Sequence, residues 1–137
     1  VDREVTTLGH GTRAGIRTQG CTIGCAECVS KDTWSEDPAT LVNIDVLLGW
    51  LRSLPEPLDG VTVSGGEPFQ QPTALAALLQ GVDAWRADRS RPVDILVYSG
   101  YSLCRSIQNA GRATRSAKAA PEALRRSPAI PVCALHL

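Results

Sequence analysis

Three short β-branched runs, 15–19 (Gly-Ile-Arg-Thr-Gln), 60–64 (Gly-Val-Thr-Val-Ser) and 93–98 (Val-Asp-Ile-Leu-Val-Tyr), are separated by two stretches whose apolar residues recur at helical spacing. In the first stretch Ile44, Leu47, Leu48, Leu51 and Leu54 form one stripe. Asn43 stands where an N-cap belongs, Asp45 falls in the first turn, and Pro55 and Pro57 stop the helix. In the second, Pro72 opens a helix at a position that tolerates proline, and Leu75, Leu78, Leu79 and Val82 make its stripe. A third helix is expected to start near Tyr101 or Ser102, with Leu103 and Ile107 on one face. Strand and helix in alternation specify an α/β fold of βαβ units around a parallel sheet, with right-handed connections. Residues 1–13, polar and punctuated by Gly9 and Gly11, read as irregular.

In a parallel sheet the loops that follow the strands gather at one rim, where α/β folds bind ligands. Here those loops are 20–34, 64–71 and 98–102, and the first two carry chemistry. Cys21, Cys25 and Cys28 form a C-x3-C-x2-C run. Thiolates suit iron–sulfur clusters and zinc. Three in so short a loop can hold three corners of an iron–sulfur cube and leave one iron open. A zinc site completed by a distant His10 or His136 is the alternative. An odd cluster at this spacing is poor disulfide material. The second loop is Ser64-Gly65-Gly66-Glu67-Pro68. Its glycines permit a tight turn and close approach of backbone to a ligand. Glu67 at the rim can accept charge-assisted hydrogen bonds from an ammonium group, and Pro68 stiffens the exit. Taken without the cysteines, it is an ordinary strand-to-helix turn with a solvated glutamate.

The 137 residues and 43% apolar content suit one domain with a real core, and the zero net charge gives no reason to expect nucleic acid or a charged membrane. No apolar run approaches a membrane span and no export signal opens the chain. A reduced, cytoplasmic setting is the expectation. The chain begins at Val1 and contains no methionine, so it reads as incomplete or written without its initiator. The charge balance hides an asymmetry: residues 105–137 carry six basic side chains against the single acid Glu122. Composition breaks near Cys104, dividing a domain 1–104 from a basic Ala/Arg/Pro-rich tail 105–137.

With both loops in hand, the chain resembles the radical S-adenosylmethionine (SAM) superfamily, and within it the small activases of anaerobic ribonucleotide reductase and of pyruvate formate-lyase. The resemblance rests on Gln19-Gly20-Cys21-Thr22-Ile23-Gly24-Cys25-Ala26-Glu27-Cys28, Asp32-Thr33-Trp34, the stretch from Gly60 through Gly65-Gly66-Glu67-Pro68-Phe69-Gln70-Gln71, and Val97-Tyr98-Ser99-Gly100-Tyr101. It covers about residues 5–104. It implies a partial, open (βα) barrel of about three βα units. Cys21, Cys25 and Cys28 would ligate a 4Fe-4S cluster whose open iron takes the amino and carboxylate groups of SAM. Gly65, Gly66, Glu67 and Pro68 would hold the amino end, and Ser99 and Gly100 would pass near the ribose or the methionine. Trp34 or Tyr101 could line the pocket, ordinary packing being the alternative for each. The reaction implied is reductive cleavage of SAM to methionine and a 5′-deoxyadenosyl radical, which abstracts hydrogen from a backbone glycine of a large glycyl radical enzyme. A flavodoxin or ferredoxin would supply the electron.

Three departures qualify the match. His10 stands between Gly9 and Gly11, where related chains often have proline, and reads as a loop residue. Glu27 stands just before the third cysteine, where many superfamily members place an aromatic that touches adenine; the small activases commonly lack that aromatic, so the departure points toward them. After Arg105 only 129–137 offers a strand, and Pro131 demotes it to an edge. The tail therefore reads as truncated or drawn from a shifted frame, with a genuine basic arm for an acidic partner as the alternative. Cys104 and Cys133 read as idle thiols. The competing function is a non-catalytic metal-binding module, holding zinc or a cluster, or a degenerate, truncated radical SAM protein.

Overall fold

The computed structural model describes residues 1–102 together with the backbone of 129–131. Its elements are β1 (Asp2–Val5), β2 (Arg13–Thr18), β3 (Leu41–Asn43), α1 (Ile44–Ser53), β4 (Gly60–Gly65), α2 (Pro72–Ala87), β5 (Asp94–Val97) and β6 (Ala129–Pro131), with single 3-10 turns at Lys31–Thr33, Pro38–Thr40 and Pro68–Gln70. The main sheet has the order β1-β2-β4-β5. β2, β4 and β5 run parallel, with Arg13 opposite Gly60, Thr18 opposite Gly65 and Val63 opposite Val97. The architecture is thus a mixed, mostly parallel α/β sheet. The three parallel strands end together, and the loops that follow them share one rim.

The two apolar stripes fold as their spacing demands. Ile44, Leu47, Leu48, Leu51 and Leu54 of the first, and Leu75, Leu78 and Val82 of the second, are buried in one core with Ala14, Ile16, Val61 and Val63 of the sheet. Leu79 packs at its margin, while Trp50 and Trp85 join the core from outside the expected stripes. Asn43 caps α1 as expected, its side chain accepting from Asp45 N at 2.8 Å. α1 and α2 lie in contact, with Gly81 of α2 facing the Leu48 side chain.

The first thirteen residues are not irregular throughout. β1 pairs antiparallel with β2. Its residues are mostly exposed, so an edge strand held by its backbone leaves no alternating apolar pattern to read. β2 begins at Arg13, two residues before the expected start, because Arg13 pairs across the sheet with Gly60. Arg13 is 1% exposed. Its guanidinium donates to Thr62 Oγ1 at 2.7 Å, to the carbonyls of His10 and Val61, and to Asp94. Nothing in the sequence marks this arginine as a buried staple. His10 itself is exposed, as a loop residue should be.

β6 occupies only part of the expected 129–137 strand and pairs antiparallel with β3, apart from the main sheet. The expected third helix, Cys104, Cys133, His136 and nearly all of the tail lie outside the described residues. Among the described residues no helix is long and apolar enough to cross a membrane.

Candidate metal centre

The cysteine loop is pinned where it leaves β2. Gly20 N donates to Thr33 O at 2.8 Å and Cys21 N to Trp34 O at 3.0 Å, so residues 19–34 form a closed excursion from the sheet rim. Gly20 bends the chain with φ +97°. Within the loop Cys28 N donates to Cys25 O at 3.2 Å. The base is tightened by Thr33, fully buried, whose hydroxyl donates to Ser30 O at 2.7 Å. Cys21 and Cys28 are half-buried and Cys25 is exposed, and all three are free thiols. Trp34 Nε1 donates to Cys28 Sγ at 3.3 Å.

Among the described residues no three His, Cys, Asp or Glu side chains stand close enough together to hold a metal ion. The chemistry of the donor set nonetheless fits an iron–sulfur cluster. Three unpaired thiols lie within eight residues, and a ring N–H already points at one sulfur, the kind of outer contact that thiolate ligands accept.

The Gly-Gly-Glu-Pro turn packs backbone to backbone on the entrance of this loop. Gly66 N donates to Thr18 O at 2.7 Å and Glu67 N to Gly20 O at 2.9 Å, continuing the parallel ladder past the strand ends. A Cβ on Gly65, whose φ is +96°, would stand 2.5 Å from Thr18 O, and one on Gly66 would stand 2.4 Å from Gly20 O. The close approach that these glycines permit is between two loops of the same chain.

Glu67 is 1% exposed. Its Oε1 accepts from Phe69 N at 2.9 Å and from Ser99 Oγ at 2.9 Å, and its Oε2 accepts from Gly100 N at 2.8 Å. The carboxylate thus caps the turn that Pro68 opens and ties it to the loop after β5. Far from being solvated, it has its own chain's donors on both oxygens. Ser99 Oγ in turn accepts from Tyr101 N at 3.0 Å.

Two glutamines to which sequence reasoning assigned no role complete the rim. Gln70 Oε1 accepts from Thr22 N at 3.1 Å, while Nε2 donates to Thr22 Oγ1 at 2.7 Å and to the Tyr101 hydroxyl at 2.8 Å. Gln71 Nε2 donates to Gln19 O at 2.7 Å. The signal that could have found them was the convergence of the three loops, which puts any long polar side chain between them within reach of two. All nine expected site residues therefore lie on the three rim loops or, for Gly65, at the strand end that opens one of them. Direct hydrogen bonds join Gly66, Glu67, Ser99 and Gly100 to one another or to the cysteine loop's entrance, while Cys28 Sγ takes its bond from Trp34. An open cleft lined by Glu56, Leu58, Trp85, Arg89 and Val93 lies at the other end of the sheet and shares none of these groups.

A family model described as a 4Fe-4S single cluster domain matches residues 7–119. Over 78 residues, 53% of this chain, the sequence is 37% identical to the pyruvate formate-lyase-activating enzymes of Staphylococcus aureus strains USA300 and NCTC 8325. That stretch is 31% of each relative, so the chain spans about a third of their length. No solved structure matches the chain.

Proposed function

The chain belongs to the family of 4Fe-4S single cluster domains, and on that premise we propose that it is a radical SAM protein of the glycyl-radical-activating kind. In this reading the parallel strands β2, β4 and β5 are a segment of a partial radical SAM barrel. Residues 1–104 are the cluster domain and 105–137 a basic tail. Cys21, Cys25 and Cys28 would hold three irons of the cluster. Gly65, Gly66, Glu67, Pro68, Ser99 and Gly100 border the methionine end of SAM. When bound, such a cluster would provide the electron for reductive cleavage of SAM to methionine and a 5′-deoxyadenosyl radical.

The protein's own part is positioning. The observation that carries the reading is the backbone bonding of the glycine turn to the entrance of the cysteine loop, from Gly66 N to Thr18 O and from Glu67 N to Gly20 O. A cofactor gripped by one loop and held against a metal on another needs this fixed relation between them. The proposed protein substrate is a backbone glycine of a large glycyl radical enzyme, the electron donor a flavodoxin or ferredoxin, and the compartment the cytoplasm. Neither nucleic acid nor a membrane is a proposed partner.

Anaerobic reconstitution tests this. The expected result is a brown protein with about four irons per chain that releases methionine and 5′-deoxyadenosine from SAM under dithionite. A colourless protein carrying one zinc would overturn it. A second reading, a metal-binding module without catalysis, is favoured by one observation: the Glu67 carboxylate, the expected acceptor for the SAM amino group, is buried and bonded on both oxygens. A cluster-bearing protein that never cleaves SAM would establish that reading.

A further inference from the structure

We propose that Trp34 is a positioning residue that raises the reduction potential of the iron–sulfur cluster, through the hydrogen bond from its indole N–H to the sulfur of Cys28. The inference rests on the reading that Cys28 is a cluster ligand. Its own evidence is the geometry of Trp34, which grips the loop twice. Its backbone carbonyl accepts from Cys21 N at 3.0 Å, and its ring nitrogen donates to Cys28 Sγ at 3.3 Å. The first and last cysteines of the run are thereby tied to one residue six positions beyond the run.

The backbone that carries the ring is fixed beside this contact. The 3-10 turn Lys31–Thr33 ends at Trp34, whose N–H donates to Lys31 O at 3.2 Å, and the neighbouring Thr33 is fully buried. The indole is a donor only, so at a thiolate it can do one thing: draw negative charge from the sulfur. Reduction of a cluster by one electron adds negative charge that the ligand sulfurs share. A donor aimed at such a sulfur stabilises the reduced state more than the oxidised one, and hydrogen bonds to the sulfurs are among the factors that set cluster potentials. A packing role alone would need the ring's bulk and not its N–H.

The test separates these. Trp34→Phe keeps an aromatic ring and removes the donor. Replacement of Trp34 by its benzothiophene isostere keeps the fused-ring shape and loses only the N–H. Each reconstituted protein is titrated potentiometrically, without SAM or any partner, and the reduced cluster is read by electron paramagnetic resonance. Both variants are expected to lower the one-electron reduction equilibrium about tenfold, a midpoint about 59 mV more negative. Midpoints equal to the unsubstituted protein's, or a shift in Trp34→Phe that the isostere does not share, overturn the proposal. The bond is also read without iron. In the metal-free protein, the indole proton resonance of Trp34, identified by its loss in Trp34→Phe, is expected to move when Cys28 is changed to Ala. An unmoved resonance overturns the contact. If the unsubstituted protein takes up no iron, the cluster reading of the preceding section fails and the redox role with it. Iron uptake with unchanged midpoints sinks this inference alone.

Discussion

Glu67 joins chain segments more than thirty residues apart, because each of its oxygens has a specific donor. Changing it to Gln keeps the shape but turns one acceptor into a donor. Phe69 N and Gly100 N cannot then both be satisfied, since the amide offers a single oxygen. We expect Glu67→Gln to cost about 2 kcal/mol in urea unfolding and to speed hydrogen exchange at Gly100. Equal stability would mean that the carboxylate does not hold the loops. Gly66→Ala asks a separate question, since a methyl group there meets Gly20 O at 2.4 Å and backbone cannot step aside as a side chain can. The expected loss is more than about 2 kcal/mol, from forced separation of the two rim loops. The sequence made Glu67 and the glycines legible as a functional turn, because glycines after a strand need a reason. It could not say what they approach, because Thr18, Gly20, Ser99 and Gly100 are near only once three strands are paired. Arg13 was illegible altogether, since a charged residue at a strand's start looks the same whether solvated or buried among four acceptors.

At the level of elements, legibility follows whether an element declares itself by side chains or by backbone. α1 does so by side chains: its stripe, its Asn43 cap and its proline stop all lie within fifteen residues. Removing the cap tests the weakest of these signals. Asn43→Ala frees Asp45 N from its 2.8 Å bond and is expected to cost about 1 kcal/mol in thermal unfolding. No change would show that the first turn is held by packing alone. β1 declares itself only by backbone, because its exposed residues need no apolar alternation, and so its sequence carries no strand signal. The bounds of β2 and β5 differ from the expected ones by one or two residues. Their ends are decided by register against β4, with Arg13 opposite Gly60 and Val97 opposite Val63. The α/β class does not depend on these shifts, because the two parallel pairings need only the order of the elements and not their exact ends.

At the scale of the molecule, the metal loop and the core are separate constructions. No residue between 17 and 41 belongs to the buried cluster or to the apolar residues packed on it. The loop is fastened to the sheet by backbone bonds at its base and by Gln70, whose amide reaches Thr22. Metal removal should therefore act locally, unlike in zinc fingers, where the metal supplies the folding energy. After anaerobic loading and chelation, we expect amides in 21–32 to lose protection from hydrogen exchange. Those of β2, β4 and β5 should keep theirs, and unfolding should stay cooperative. The bonds from Gly20 N to Thr33 O and from Gly66 N to Thr18 O mark where the boundary should fall, since both are made by the polypeptide alone. Loss of protection throughout the sheet on chelation would show instead that the rim is folded by the metal, and that the convergence of the three loops is a consequence of binding and not its precondition.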